Sequence, residues 1–165
     1  MYVHPRYSRI AFWILPEIGS PKYSDVEIYC KELQLKKCFD VFLFFSSSRL
    51  PQLQTILFKE ITRWQKNKIF VVRTKIDDDV RSAQRIKRFD ESALLERIRF
   101  NLLERLEGFL SNPKDIFLIS SRYPEKWDFR RLEKAILDLH EQWASCLDSY
   151  GGTPISGTRA NVILI

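Results

Sequence analysis

Apolar residues along this 165-residue chain follow two alternating rhythms. Short dense runs rich in β-branched and aromatic residues predict strands, and longer stretches with apolar positions every three or four residues predict helices. Ile10 to Leu15 predicts a strand stopped by Pro16. Val26 to Lys37 predicts a helix, with Asp25 as N-cap and Val26, Tyr29, Cys30 and Leu33 on one face. Val41 to Phe45 is a near-continuous apolar run, of the kind buried on both faces of a parallel sheet.

Pro51, whose fixed φ suits a first helical turn, predicts the start of a helix carrying Leu53, Ile56, Leu57, Ile61 and Trp64 on one stripe. Lys68 to Arg73 predicts the next strand. Phe89 to Leu110 predicts a long amphipathic helix through Leu94, Leu95, Ile98, Leu102, Leu106 and Phe109. Asp115 to Ile119 predicts a fourth strand, and Phe129 to Leu147 a closing helix. This alternation predicts βαβ units with right-handed crossovers, a parallel doubly wound α/β sheet of about four strands with helices on both faces. Ligands of such sheets bind beyond the carboxyl ends of the strands, so the chemistry is expected just after Leu15, Phe45, Val72 and Ile119.

Composition narrows the picture. An apolar fraction of 45% and a charged fraction of 29% exclude disordered, collagen-like and disulfide-scaffold classes. The length fits one domain. A net charge of +6 favours an anionic partner, leaving nucleic acid, a phospholipid surface or a nucleoside phosphate open, although the scattered basic residues also read as solvated helix faces. Three cysteines without a CxxC pair fit a reducing compartment. The six-residue run Ile10 to Leu15 is too short for a signal segment or a membrane span, and His4 and His140 stand too far apart to suggest a metal site. The five glycines form no phosphate-cradling GxxxxGK[ST]. Gly152 to Gly157 followed by Thr158 lacks the Lys and precedes a strand-like run.

Arg73-Thr74-Lys75-Ile76-Asp77 follows the Lys68 to Arg73 strand. A Thr/Asn-Lys-x-Asp sequence there is the guanine-recognition element of small GTPases. An Asp carboxylate accepts from guanine N1–H and N2–H₂ while the Lys stem lies along the base. Adenine lacks that donor pair, so Asp77 would discriminate by leaving a charge unpaired. Lys75 and Asp77 also read as polar residues closing a strand. Asp78 and Asp79 read as a solvated run of acids opening a loop. Ser120-Ser121, one helix later, stands where GTPases place a polar loop whose N–H faces guanine O6.

The phosphate side differs. Where a GTPase carries Asp-x-x-Gly, with the Asp holding Mg²⁺ through water and the Gly amide near the γ-phosphate, this chain carries Ile14 and Glu17. Ile14 has no ligand atom, and Glu17 sets a negative charge against phosphate.

With these residues in view the chain resembles the G domain of the immunity-related (interferon-inducible) GTPase family. The family pattern Trp-Asp-Leu-Pro-Gly-Ile-Gly is matched by Trp13, Leu15, Pro16, Ile18 and Gly19, and His4-Pro5 is also typical. Phe39, Asp40, Ser46, Ser47 and Arg49 resemble the family's stretch around its fourth strand. Phe70 to Asp77 with Asp79 is close to its guanine motif. Ile98, Arg99, Asn101 and Leu103, then Phe117 to Ser120, then Asp128, Phe129 and Leu132 resemble its later helix, loop and final-helix lead.

The resemblance implies a P-loop NTPase-type (Ras-like) fold, GTP binding with slow hydrolysis, G-domain dimerisation and action at intracellular membranes in innate immunity. It makes residues 1–147 a partial G domain and 148–165 a divergent tail. Guanine binding falls to Thr74, Lys75, Asp77, Ser120 and Ser121, with weak GTP or GDP binding expected. Mg²⁺ and nucleic acid are not expected. Localisation is expected to be cytoplasmic, with peripheral contact to intracellular membranes. The family's phosphate loop, first strand and first helix would lie upstream of residue 1, and its helical domain beyond the tail. The expected product is therefore a pseudo-GTPase with negligible hydrolysis; the alternatives are a nucleotide-free module docking on intact relatives, or a truncated product without its own function.

In the family fold the first strand lies between Ile10 to Leu15 and Val41 to Phe45. Without it, unmet backbone groups cost about 1 to 3 kcal/mol each. Direct pairing of the two flanking strands is the expected repair. Insertion of Val162 to Ile165, or an open edge prone to association, are the alternatives.

Overall fold

The computed structural model of the chain describes residues 1–47, 51–64, 68–85, 88–106, 108–110, 112–149 and 160–165. Arg49 and the Gly152 to Thr158 stretch lie outside these. The described elements are β1 (Tyr2–Val3), β2 (Ile10–Ile14), α1 (Val26–Glu32), α2 (Leu35–Cys38), β3 (Val41–Ser46), α3 (Gln52–Arg63), β4 (Lys68–Arg73), α4 (Ile76–Ala83), α5 (Glu91–Arg105), β5 (Ile116–Leu118), α6 (Phe129–Ser149) and β6 (Ala160–Leu164). They build one six-stranded sheet in the order β1-β2-β6-β3-β4-β5. All neighbouring pairs are parallel except β1 with β2.

The expected direct pairing of β2 with β3 does not occur. β6 lies between them, with Ile10 opposite Ala160 through Ile14 opposite Leu164 on one side, and Val41 opposite Val162 through Leu43 opposite Leu164 on the other. The physical reason is that insertion satisfies two strand edges at once and removes Val162 and Ile163 from water (1% and 0% exposed). Side chains reinforce the position. Trp13 Nε1 donates to Asn161 Oδ1 at 3.0 Å, and Asn161 N donates to Asp40 Oδ2 at 2.9 Å.

Strand alternation sorts the core into two layers. Phe42, Phe44, Val71, Leu118 and Ile163 face a layer holding Tyr29 of α1, Phe58 and Ile61 of α3, and Leu102 of α5. Val41, Leu43, Val72, Phe117 and Val162 face Leu132 and Ile136 of α6. Beside α6 this second face keeps an apolar cavity of about 310 Å³, lined in part by Phe12, Phe45, Phe129 and Leu164.

Other differences are local. The single helix expected over Val26 to Lys37 is broken by Gln34 at φ 50, which turns α2 so that Leu35 is fully buried. Asp25 caps α1 as expected, accepting from Ile28 N at 2.9 Å. Pro51 serves as the N-cap of α3 instead of its first turn. β1 and α4 were not predicted: β1 is too short to show a period, and α4 opens with a run of acids. No described helix is long and apolar enough to cross a membrane.

Candidate functional site

Two places at the carboxyl ends of the strands carry the predicted residues. The first is the pair of segments leaving β4 and β5. Thr74 is tied to the end of β3, its N–H donating to Ser46 O at 2.8 Å and its hydroxyl to the same oxygen at 3.3 Å. Lys75 then takes the left-handed conformation (φ 58, ψ 34) as the N-cap of α4 and is exposed. The turn reverses the chain within one residue, so Asp77 falls in the first helical turn, where the helix dipole favours negative charge. Ile76 N donates to Ile119 O at 3.3 Å and Ile119 N to Arg73 O at 2.8 Å, which locks the two loops together.

This stitching brings Asp77 and Ser120 into contact. Asp77 is 8% exposed and Ser120 1%. The Ser120 hydroxyl holds the Asp77 carboxyl below the ordinary Asp range, helped against burial by the Asp77 amide and by the charges of Arg122 and Arg81. Arg122 Nη1 stands 3.1 Å and Arg81 Nη2 3.5 Å from Asp77 Oδ2. Ser121 is exposed beside them, and Arg122 N donates to Ser120 Oγ at 3.1 Å. The result is an ionised carboxylate, fixed in place, at the mouth of a polar loop pair. It can accept two donors from one edge of a planar ligand.

Asp78 and Asp79 do not form the solvated loop expected of them. Both belong to the first turn of α4, where Asp78 lies 3.4 Å from Arg81 and Asp79 takes Arg73 Nη2 at 2.7 Å. Arg73 is buried at the end of β4, and its Nε and Nη1 have no hydrogen-bond partner. Ser46, its register neighbour on β3, also has a buried hydroxyl without one.

The second is a crevice of about 350 Å³ beyond the ends of β2, β6 and β3. Ile14 (79% exposed), Leu15, Glu17, Phe45, Gln54, Leu164 and Ile165 line it. Gly19, at φ 97, turns the chain after it, with its N–H on Tyr23 O at 2.7 Å. The walls are mostly apolar, Glu17 adds a carboxylate, and the residues lining the crevice include no Lys or Arg to meet a phosphate. Among the described residues no cluster of His, Cys, Asp and Glu could hold a metal ion. These residues do not fit a Mg²⁺–phosphate group.

The family model described as interferon-inducible GTPase (IIGP) matches residues 1–144. The chain belongs to the interferon-inducible GTPase family. Relatives include interferon-inducible GTPase 5 of Rattus norvegicus, 40% identical over 134 residues that cover 79% of this chain and 28% of that protein. The protein of the same name from Bos taurus is 37% identical over 130 residues, covering 78% and 27%. Interferon-gamma-inducible GTPase 10 of Mus musculus is 30% identical over 139 residues, covering 83% and 33%. The chain thus spans about a third of the length of the curated relatives it matches.

For this member of the interferon-inducible GTPase family, the sequence pointed to Thr74, Lys75, Asp77, Ser120 and Ser121, and the fold sets them at the joined ends of β4 and β5, with Asp77 in the first turn of α4. The fold does not bring Ile14 and Glu17 to that place; they line the crevice beyond β2, β6 and β3. The sequence did not point to Arg81 and Arg122, the two cations on Asp77. The four-residue spacing from Asp77 to Arg81 would have pointed to a helical ion pair had α4 been recognised. Arg122 carried no local signal, because its partner is 45 residues away.

Proposed function

We propose that this chain is a guanine-recognising G-domain segment that binds GDP or GTP weakly and does not hydrolyse GTP at a useful rate. The observation that carries this reading is the buried, ionised Asp77 held against Ser120 at the joined ends of β4 and β5. Thr74 shapes the turn, the exposed Lys75 stem would cover the base, and the loop at Ser120-Ser121 would meet guanine O6.

On the phosphate side, Ile14 and Glu17 replace the groups that would hold Mg²⁺ and approach the γ-phosphate. Phosphoryl transfer depends on positioning and electrostatic stabilisation of the phosphates, and an apolar wall with an added carboxylate supplies neither. Titration with fluorescent GDP and GTP, with Asp77→Asn as control, tests the reading. Micromolar binding abolished by the substitution supports it; binding untouched by the substitution, or GTP turnover at the family's rate, contradicts it.

A second reading, docking on an intact relative through G-domain contact with peripheral attachment to intracellular membranes, has the open apolar cavity beside α6 in its favour. Co-purification with such a relative in the absence of nucleotide tests it.

A further inference from the structure

The Asp77 carboxylate already holds a donor with the shape of the base edge it is proposed to bind. Arg122 Nη1 lies 3.1 Å from Asp77 Oδ2, and Arg81 approaches the same oxygen from its own helix at 3.5 Å. The acceptor is fixed, 8% exposed, whereas the Arg122 side chain is 58% exposed. Arg122 N also donates to the Ser120 hydroxyl at 3.1 Å, a bond from the main chain of Arg122 that does not depend on where its side chain lies.

A guanidinium and the N1–C2–N2 edge of guanine are the same chemical fragment: nitrogens flanking one carbon, with parallel N–H donors. A carboxylate can accept either one through paired hydrogen bonds; Arg122 donates through Nη1 to Oδ2, the oxygen a guanine edge would also need, so the two compete for it. We propose that Arg122 is the residue that sets the affinity of this site, occupying the guanine-edge position on Asp77 until a base displaces it. The proposal rests on the guanine reading of Asp77 and deepens it.

Two consequences follow from charge. The Arg122 side chain is 58% exposed, so displacing it is a modest cost, and its removal strengthens base binding up to about fivefold. The pair is screened by salt while a neutral nucleoside is not, so wild-type affinity for guanosine rises with ionic strength. Arg81, farther away and on the same helix as Asp77, contributes less.

Guanosine, which carries no phosphate, is titrated into the wild type, Arg122→Ala, Arg81→Ala and Asp77→Asn at low and high salt. The expected result is tighter binding by Arg122→Ala with a flattened salt response, a smaller gain for Arg81→Ala, and loss of binding in Asp77→Asn. Binding by Arg122→Ala equal to or weaker than wild type, with Asp77→Asn still defective, overturns the role of Arg122 and leaves the guanine reading standing. Absence of guanosine binding in both wild type and Arg122→Ala overturns the guanine reading and this proposal with it.

Discussion

Asp40 and Asn161 exchange two hydrogen bonds: Asp40 N donates to Asn161 O at 3.0 Å, and Asn161 N donates to Asp40 Oδ2 at 2.9 Å. The pair fastens the start of β6 to the loop that enters β3, so the inserted strand is held by a side chain as well as by the sheet ladder. Burial pushes the Asp40 carboxyl above its ordinary value, and the Asn161 N–H offsets this only in part. An acid whose folded pKa is raised binds protons better when folded, so its ionisation costs stability as pH rises through that pKa. Asp40→Asn keeps an acceptor for Asn161 N and removes the charge. Its urea midpoint at pH 7 is expected to equal or exceed that of the wild type, with the advantage fading in acid.

Ile163 is fully buried in the middle of β6, packed with Phe42 and Phe44. Ile163→Ala is expected to cost about 2–5 kcal/mol, a large part of a typical stability of about 5–15 kcal/mol. Denaturant titration measures the loss. Amide exchange should show slow exchange across Ala11 to Ile14 in the wild type and faster exchange in the variant; rapid exchange there in the wild type would contradict an inserted strand.

Asp128 gives the opposite pH dependence to Asp40. Burial alone would raise its carboxyl, but hydrogen bonds from Arg131 (3.1 Å), Leu118 N (2.8 Å) and Arg99 together hold it below the ordinary Asp value. The stability it contributes is present above the unfolded-state pKa of about 3.9 and is lost as pH falls through the lower folded pKa. Acid unfolding of Asp128→Asn should show a shallower slope below pH 4 than the wild type.

The Arg73–Asp79 pair should be asymmetric. Arg73 is nearly inaccessible, with a side-chain exposure of 8%, while Asp79 keeps 32%. Asp79→Ala strands a buried guanidinium and is expected to cost about 3 kcal/mol or more. Arg73→Met removes the charge and keeps much of the volume, so it should cost less. Thermal melts of the two variants decide the order.

Asp77→Asn should also change which base is bound. Xanthine carries a carbonyl at C2 where guanine carries an amine, so it presents one acceptor and one donor to the side chain. An Asn amide offers the complementary donor and acceptor, whereas an Asp carboxylate offers acceptors alone. Competition with xanthosine against guanosine should invert between wild type and variant.

Much of this molecule is written in local sequence. The runs at Ile10, Val41, Lys68 and Ile116 declare their strands by composition, and Asp25 marks a helix start by capping chemistry. Thr74 to Asp77 could be placed at a strand end because the strand before it was plain. The helix α4 escaped notice because its first turn is Ile76 followed by three acids. Those acids are a favourable N-terminal signal for a helix, but they resemble a loop when the apolar period is short.

Pattern along the chain determined the four strands β2 to β5, the main helices, the parallel α/β class and the place of Thr74 to Asp77 at a strand end, because period and turn chemistry act over a few residues. Tertiary structure alone decided that β6 separates β2 from β3, that Asp128 ties α5 to α6, and that Arg122 lies on Asp77. Each of those outcomes satisfies a backbone edge or a charge with a partner far away in sequence, 121 residues in the case of Asn161 and Asp40. No local rhythm records such a partner, because the energy that selects it exists only once the sheet has brought the two ends of the chain together.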